Sequence, residues 1–215
     1  MSNLKLNYKV KIVDNFLNES DFEELNSLKL IKKDFDGDFK VYPNEINDDK
    51  IIKATIGESL VKKIHKNYFL KTFKILEELD PQKSKLYDYS AFYIIITKKN
   101  SKFPIHDDAP HKLLSGVVYL QPKENSGTIF YSDKKGSNET EVEWKPNRGV
   151  FFSRIEKETW HTYQGDGKND RIALVYNLNT NKIRDVYKAE GKSFFLGNLR
   201  QRINPYLFRY FKKTI

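Results

Sequence analysis

Residues 103–110 read Phe-Pro-Ile-His-Asp-Asp-Ala-Pro, and the chemistry of the chain is best understood outward from this stretch. Its His106 and Asp108 stand two positions apart, which points both side chains to the same side of an extended segment. His161 stands in a second β-rich stretch much further along the chain. Two imidazoles and one carboxylate on one side of a metal ion leave its other side open. The sequence therefore predicts a metal site made of His106, Asp108 and His161.

Two nearby side chains compete with these assignments. Asp107 would point to the opposite side of an extended segment, so we expect it behind the metal site or in solvent. His111 is a rival for the third ligand position. A histidine in solvent or at the rim of a pocket is the simpler interpretation of His111, and a contact with substrate is the alternative.

Arg171 follows a strong turn signal at residues 165–170. This signal predicts that residues 160–164 and 171–177 are the two arms of one hairpin. In that register His161 and Arg171 share a face, one diagonal apart. A guanidinium placed there can bind a carboxylate through two hydrogen bonds while the other end of the same molecule chelates the metal.

This ordered set resembles the pattern of the 2-oxoglutarate/Fe(II)-dependent oxygenases, and most closely their prolyl-4-hydroxylase-like branch. Residues 117–121 (Val-Val-Tyr-Leu-Gln) are similar to the strand of that branch that carries a cosubstrate-binding tyrosine. Residues 146–152 are similar to the segment before its second histidine. The resemblance covers residues 85–180, with a fainter match at the N-terminus.

The resemblance implies a dioxygenase that hydroxylates its substrate while 2-oxoglutarate is oxidatively decarboxylated to succinate. Fe(II) would be held by the three ligands predicted above, and Arg171, helped by Tyr119, would bind the far carboxylate of 2-oxoglutarate. Apart from the resemblance, Tyr93 in the β-rich run before the metal segment is a candidate to face the cavity and contact cosubstrate or substrate, although a core tyrosine is the simpler interpretation. Dioxygen is the second cosubstrate, and ascorbate is left open as a further cofactor.

The predicted fold class is mainly β with flanking helices (α+β). About eight short β-rich runs with turn signals between them, from residue 86 to 178, are typical of a jelly-roll or barrel. The resemblance implies a double-stranded β-helix, the cupin-like form of that fold. One domain over residues 1–215 is expected, with a strand and buttressing helices in 1–84, the jelly-roll core in 85–180 and a basic helical tail in 181–215.

The N-terminal part is predicted to support the core. Asn18 is suited to cap a helix, because its side chain can accept a backbone hydrogen bond. His65 is expected to be exposed and without a role. The other predicted elements are a strand over 8–13, a polar loop over 31–49 with a short strand at 39–42, and helices over 51–60 and 62–79.

Composition excludes several classes of function. The chain has no cysteine, which rules out disulfides, thiolate metal sites and a cysteine nucleophile. No apolar run is long enough to span a bilayer and residues 1–5 do not resemble a signal peptide, so a cytoplasmic location is expected. The net charge of +9 fits nucleic acid, an anionic membrane surface or an acidic substrate, although a lysine-rich solvated surface is the simpler explanation.

The tail and the substrate leave alternatives open. From residue 193 apolar residues recur at helical spacing among basic ones, and Pro205 is predicted to begin a second short helix. Packing onto the domain or onto a second copy, as a homodimer, competes with docking on a membrane or partner.

The substrate is an unidentified protein or small molecule. Nucleic acid is disfavoured because Asn177 stands where the demethylase branch has a second arginine. The alternatives are a cupin-like metal-binding isomerase or sugar-binding protein, and a basic adaptor.

Overall fold

The computed structural model describes residues 6, 8–29 and 35–211, and within them the chain forms ten strands and five helices. The strands are β1 (Val10–Val13), β2 (Phe39–Asn47), β3 (Lys50–Ala54), β4 (Tyr89–Thr97), β5 (Lys112–Gln121), β6 (Thr128–Tyr131), β7 (Thr140–Val142), β8 (Gly149–Ser153), β9 (Trp160–Thr162) and β10 (Arg171–Asn179). The helices are α1 (Glu19–Asn26), α2 (Glu58–Leu79), α3 (Pro81–Ser84), α4 (Ile183–Ala189) and α5 (Phe194–Phe211).

The strands form two antiparallel sheets. The larger has seven strands in the order β1-β8-β5-β10-β4-β2-β3, and the smaller has three in the order β7-β6-β9. β7 is an edge strand of the smaller sheet, and its Val142 is buried while Glu141 is exposed. The mainly β architecture with a few helices confirms the predicted fold class.

β10 occupies the middle of the larger sheet, and its two faces serve different purposes. Ile172, Leu174 and Tyr176 belong to the core shared with the helices. Arg171, Ala173 and Val175, at the intervening positions, line a cavity between the two sheets. Because strand side chains alternate between faces, this one strand supports the core and furnishes the site.

The helices cover the outer face of the large sheet. α2 contacts β1, β2, β3 and β8, and it buries a stripe of apolar residues that includes Val61, Ile64 and Leu76. Each such side chain contributes roughly 1.5–3 kcal/mol when fully buried. Asn18 caps α1 as predicted, accepting a 2.8 Å hydrogen bond from the backbone N–H of Asp21. None of the described helices is long and apolar enough to cross a bilayer.

Two local predictions are wrong, and a third is confirmed with longer bounds. No separate helix covers residues 51–60: 50–54 form β3, Gly57, at φ +94°, ends the connection, and 58–60 are the first turn of α2. The strand predicted at 39–42 is the longer β2. The predicted hairpin does not form, because β9 pairs with β6 in the small sheet while β10 pairs with β4 and β5 in the large one.

Two further expectations differ from the structure. His65 is half-buried, with its ring 4.9 Å from that of Phe69. α5 is a single helix that runs past Pro205, so the predicted second helix is wrong. A proline removes one helical hydrogen bond without ending the helix here. The basic residues Lys212 and Lys213 lie outside the described residues.

Candidate active site

The two predicted metal segments are joined by their backbones. His106 and His161 form an antiparallel bridge in which each N–H donates to the other carbonyl, at 3.0 and 2.9 Å. The bridge places residue 106 beside β9, so the two imidazoles lie next to each other, with ring centroids 4.4 Å apart. Residues far apart in sequence are thus fixed in register by main-chain hydrogen bonds.

Asp108 completes a compact set of ligand atoms. One atom from each of His106, Asp108 and His161 lies within 4.8 Å of the others, and this is the one such group of three found among the described residues. The Nε2 atom of His161 is 3.9 Å from a carboxylate oxygen of Asp108. These separations suit three ligands on one metal ion, since metal–nitrogen and metal–oxygen bonds are about 2.0–2.2 Å long.

Both imidazoles are oriented for metal binding by neighbouring carbonyls. The Nδ1 atom of His106 lies 3.0 Å from the carbonyl oxygen of Pro104, and that of His161 lies 3.0 Å from the carbonyl of Thr159. An Nδ1–H that donates to a carbonyl leaves Nε2 as the free lone pair. Burial lowers the pKa of His161 to about 4, so this ring is neutral and ready to coordinate near pH 7.

The carboxylate of Asp108 is held by two partners. Lys112 donates from Nζ to one oxygen at 2.5 Å, and the hydroxyl of Ser115 donates to the other. Burial alone would raise the pKa of Asp108, but the charge of Lys112 and the adjacent imidazoles holds it well below its ordinary value. The ligand is therefore an anion in a defined orientation.

Asp107 points away from the metal side, as predicted, into a buried ionic network. The guanidinium of Arg200 in α5 donates to Asp107 and, at 2.8 Å, to Glu156. Arg154 also pairs with Glu156, and its Nε–H donates to the main-chain carbonyl of Asp108 at 3.1 Å. The full set contains three cations and three anions: Lys83, Arg154, Arg200, Asp107, Glu156 and Glu190.

One cavity connects His106 and His161 of the triad with Arg171. It has a volume of about 160 Å³ and lies between the two sheets. Most of its wall is apolar, and its polar groups include the two histidines and the guanidinium. The other lining residues are Ile95, Thr97, Phe103, Val117, Thr128, Thr162, Tyr163, Ala173 and Val175.

Arg171 is a buried cation without an anionic partner among the described residues. Only 7% of its surface is exposed, and its Nε–H has no hydrogen-bond acceptor. Three aromatic rings surround the guanidinium carbon, with centroids at 4.0 Å for Tyr163, 5.4 Å for Tyr119 and 5.5 Å for Trp144. Burial lowers the pKa of Arg171, which is the expected effect of desolvating a cation. A buried charge of this kind needs an anion, and the cavity is where one can enter.

The two predicted tyrosines lie in different surroundings. Tyr119 is fully buried and stacks on Trp144, and its hydroxyl donates to the hydroxyl of Thr128 at 3.0 Å. It contacts the guanidinium of Arg171 with its ring, so its hydrogen bond to a cosubstrate stays a prediction. Tyr93 is half-buried on the face of β4 that also carries Ile95, and burial raises its pKa to about 12.

Solved structures place this arrangement among known folds. No protein-family model and no curated protein matches the sequence. A prolyl-4-hydroxylase from Pseudomonas putida gives a TM-score of 0.56 at 12% identity, over 81% of this chain and 94% of that one. A prolyl hydroxylase from Trichoplax adhaerens, in complex with a hypoxia inducible factor oxygen degradation domain peptide, gives 0.59 at 13%, over 83% and 86%. The 2-oxoglutarate complex of dioxygenase for auxin oxidation 1 from Arabidopsis thaliana gives 0.58 at 10%, over 80% and 84%.

The chain has the fold of the 2-oxoglutarate/Fe(II) oxygenases. The double-stranded β-helix that the sequence resemblance implied is thereby confirmed. Within this oxygenase fold, the donor set fits Fe(II), because two imidazoles and a carboxylate without thiolate suit a non-haem iron centre. The unpaired guanidinium of Arg171 fits the far carboxylate of a dicarboxylic acid.

Several residues of this oxygenase-like site were not singled out from the sequence. Lys112 is four positions after Asp108, and Ser115 lies in β5, two residues before the stretch 117–121 that the sequence identified as a strand. No feature of the sequence pointed to a buried role for Arg200, because a basic residue in an amphipathic tail is expected to be exposed. His111 is half-buried and lies outside the group of ligand atoms.

Proposed function

We propose that this protein is a 2-oxoglutarate- and Fe(II)-dependent dioxygenase that hydroxylates a protein or small-molecule substrate and converts 2-oxoglutarate to succinate. The observation that carries the proposal is the unpaired guanidinium of Arg171 in the same cavity as the two histidines of the candidate metal triad. A metal site that faces an unpaired cation suits a ligand with one chelating end and one anionic end. 2-Oxoglutarate has both ends and is small enough for a cavity of about 160 Å³.

Each part of the site has a separate task in this function. His106, Asp108 and His161 would hold Fe(II), and their hydrogen bonds fix the three ligands before the metal arrives. The chemistry that Fe(II) would supply there, together with 2-oxoglutarate, is the use of dioxygen to hydroxylate a C–H bond of the substrate. Arg171 orients the cosubstrate by its far carboxylate.

The remaining walls keep water out. Ile95, Val117 and Val175 line the cavity with hydrocarbon, which strengthens the attraction between Arg171 and a carboxylate. The aromatic rings around the guanidinium stabilise its charge through their faces while leaving its N–H groups for a ligand. The protein thus supplies positioning and a dry pocket.

A cupin-like metal-binding isomerase or sugar-binding protein is the alternative that a metal site in a jelly-roll allows. It would have no need of a buried unpaired guanidinium beside the metal, and 2-oxoglutarate would not stabilise it. The measured response to 2-oxoglutarate therefore separates the two functions.

The test is an anaerobic titration of the full chain with Fe(II) and 2-oxoglutarate, followed by visible spectroscopy. We expect the charge-transfer band of a chelated keto acid, and release of succinate once oxygen is admitted. His111→Ala is the matched control, because it removes a histidine outside the ligand set and should keep the band. A wild-type chain that binds iron yet shows neither band nor succinate would contradict the proposal.

A further inference from the structure

The outward face of α5 is an unpartnered apolar surface. Seven of the twelve large hydrophobic residues that are exposed among the described residues lie in this one helix. Phe195, Tyr206 and Tyr210 are 76%, 68% and 68% exposed, and Leu199 is 50% exposed. Positions 195, 199, 206 and 210 are spaced so that they fall on one side of a helix. We call this set, together with Leu196 and Ile203, the α5 stripe.

The stripe faces away from the domain because the opposite side of α5 is anchored. Arg200 is buried in its ion pairs with Asp107 and Glu156. Gly197 packs against the ring of Tyr187 so closely that a Cβ atom would lie 2.2 Å from it. These two contacts determine which side of the helix meets the protein and which side meets the surroundings.

The charges on α5 are of one sign. Its sequence contains three arginines and no Asp or Glu. The side chain of Arg200 is buried against the domain, while those of Arg202 and Arg209 are exposed. Position 202 is seven residues after 195 and four before 206, and position 209 is seven residues after 202. Both exposed arginines therefore border the stripe. An exposed apolar stripe bordered by cations is the pattern of a helix that lies in the interface of a membrane.

We infer that α5 is an interfacial helix by which the protein docks on an anionic phospholipid surface. The Phe and Tyr side chains would enter the headgroup boundary, and Arg202 and Arg209 would pair with lipid phosphates or carboxylates. A second copy of the chain suits this surface less well. It would bring the same arginines and no carboxylate from α5 to pair with them, on a chain whose net charge is already +9.

The test is co-sedimentation of the full chain with phosphatidylcholine vesicles, with and without phosphatidylserine. We expect binding to the phosphatidylserine vesicles and little to the neutral ones. Reversing two charges, in Arg202→Glu/Arg209→Glu, should weaken binding by at least about thirtyfold, since each basic residue near an anionic surface contributes about 1 kcal/mol, or about fivefold. Leu199→Glu/Tyr206→Glu, which places charge in the stripe, should abolish it.

Lys62→Glu/Lys66→Glu is the matched control, because it changes the net charge equally through two exposed residues of α2. This variant should bind nearly as well as the wild type. Thermal unfolding of every variant shows that the fold is kept, as expected for exposed positions. An equal loss of vesicle binding in Arg202→Glu/Arg209→Glu and in Lys62→Glu/Lys66→Glu would overturn the inference. So would equal binding to neutral vesicles, or a dimer in sedimentation that Leu199→Glu/Tyr206→Glu converts to monomer.

Discussion

Replacing Arg171 by Met should affect ligand binding and stability in opposite directions. The guanidinium is positioned to make two charge-assisted hydrogen bonds to a carboxylate, each worth about 1.5–3 kcal/mol. Their loss should raise the Kd for 2-oxoglutarate roughly a hundredfold or more. In the free protein the same group is a buried cation with an unsatisfied Nε–H. Removing it should leave the free energy of unfolding unchanged or raise it by about 1–3 kcal/mol.

Two measurements on the same variant check this reasoning. Anaerobic calorimetric titration gives the Kd for 2-oxoglutarate, and urea denaturation without ligand gives the free energy of unfolding. Arg148→Met is the control, because Arg148 pairs with Asp14 at the surface and its loss should cost at most about 1 kcal/mol and leave the Kd unchanged. An Arg171→Met chain destabilised by more than about 2 kcal/mol, or one that binds 2-oxoglutarate as well as the wild type, would refute the assignment.

Three other outcomes are expected. Asp108→Ala should weaken Fe(II) binding by more than the roughly 10–100-fold that loss of an outer hydrogen-bond partner costs, while His111→Ala should not, as measured by metal titration. Arg200→Met should lower the free energy of unfolding by about 3–5 kcal/mol in urea, because it leaves the buried carboxylate of Asp107 without its cation and Glu156 with Arg154 alone; a loss near zero would contradict the buried network. The pKa of Asp21 is lowered in the fold against burial by hydrogen bonds from Lys63 and Tyr68, so its stabilisation is present above the ordinary value of 3.8 and lost as pH falls through the lower folded value. The stability difference between wild type and Asp21→Asn should therefore shrink between pH 5 and pH 2 in thermal melts, and a constant difference would contradict it.

The features that could be predicted reliably from the sequence are those that depend on the spacing of nearby residues. The separation of two between His106 and Asp108, and the position of Asn18 before a helix, depend on local geometry that a few residues determine. The alternation along β7 and β10 likewise follows from the pleat of a strand. These patterns sufficed for the fold class and for the group of ligand atoms.

The pairing of strands from distant segments could not be predicted in the same way. A turn signal between β9 and β10 indicates a change of direction, but it does not say whether the two strands pair with each other or with other strands. Here the chain crosses from the small sheet to the large one between them, and Tyr163 still lies against Arg171 across the cavity. Residues 51–60 were ambiguous because short apolar runs fit a helix and a strand equally.

The ion pairs of Arg200 have a practical consequence for the boundaries of the catalytic unit. A truncated chain ending after β10 would keep every residue of the triad and Arg171, yet it would lose the cation that neutralises Asp107, the residue between two of the ligands. Expression of residues 85–180 alone should therefore yield a candidate metal site with a misplaced backbone. The last helix belongs to the smallest fragment worth purifying.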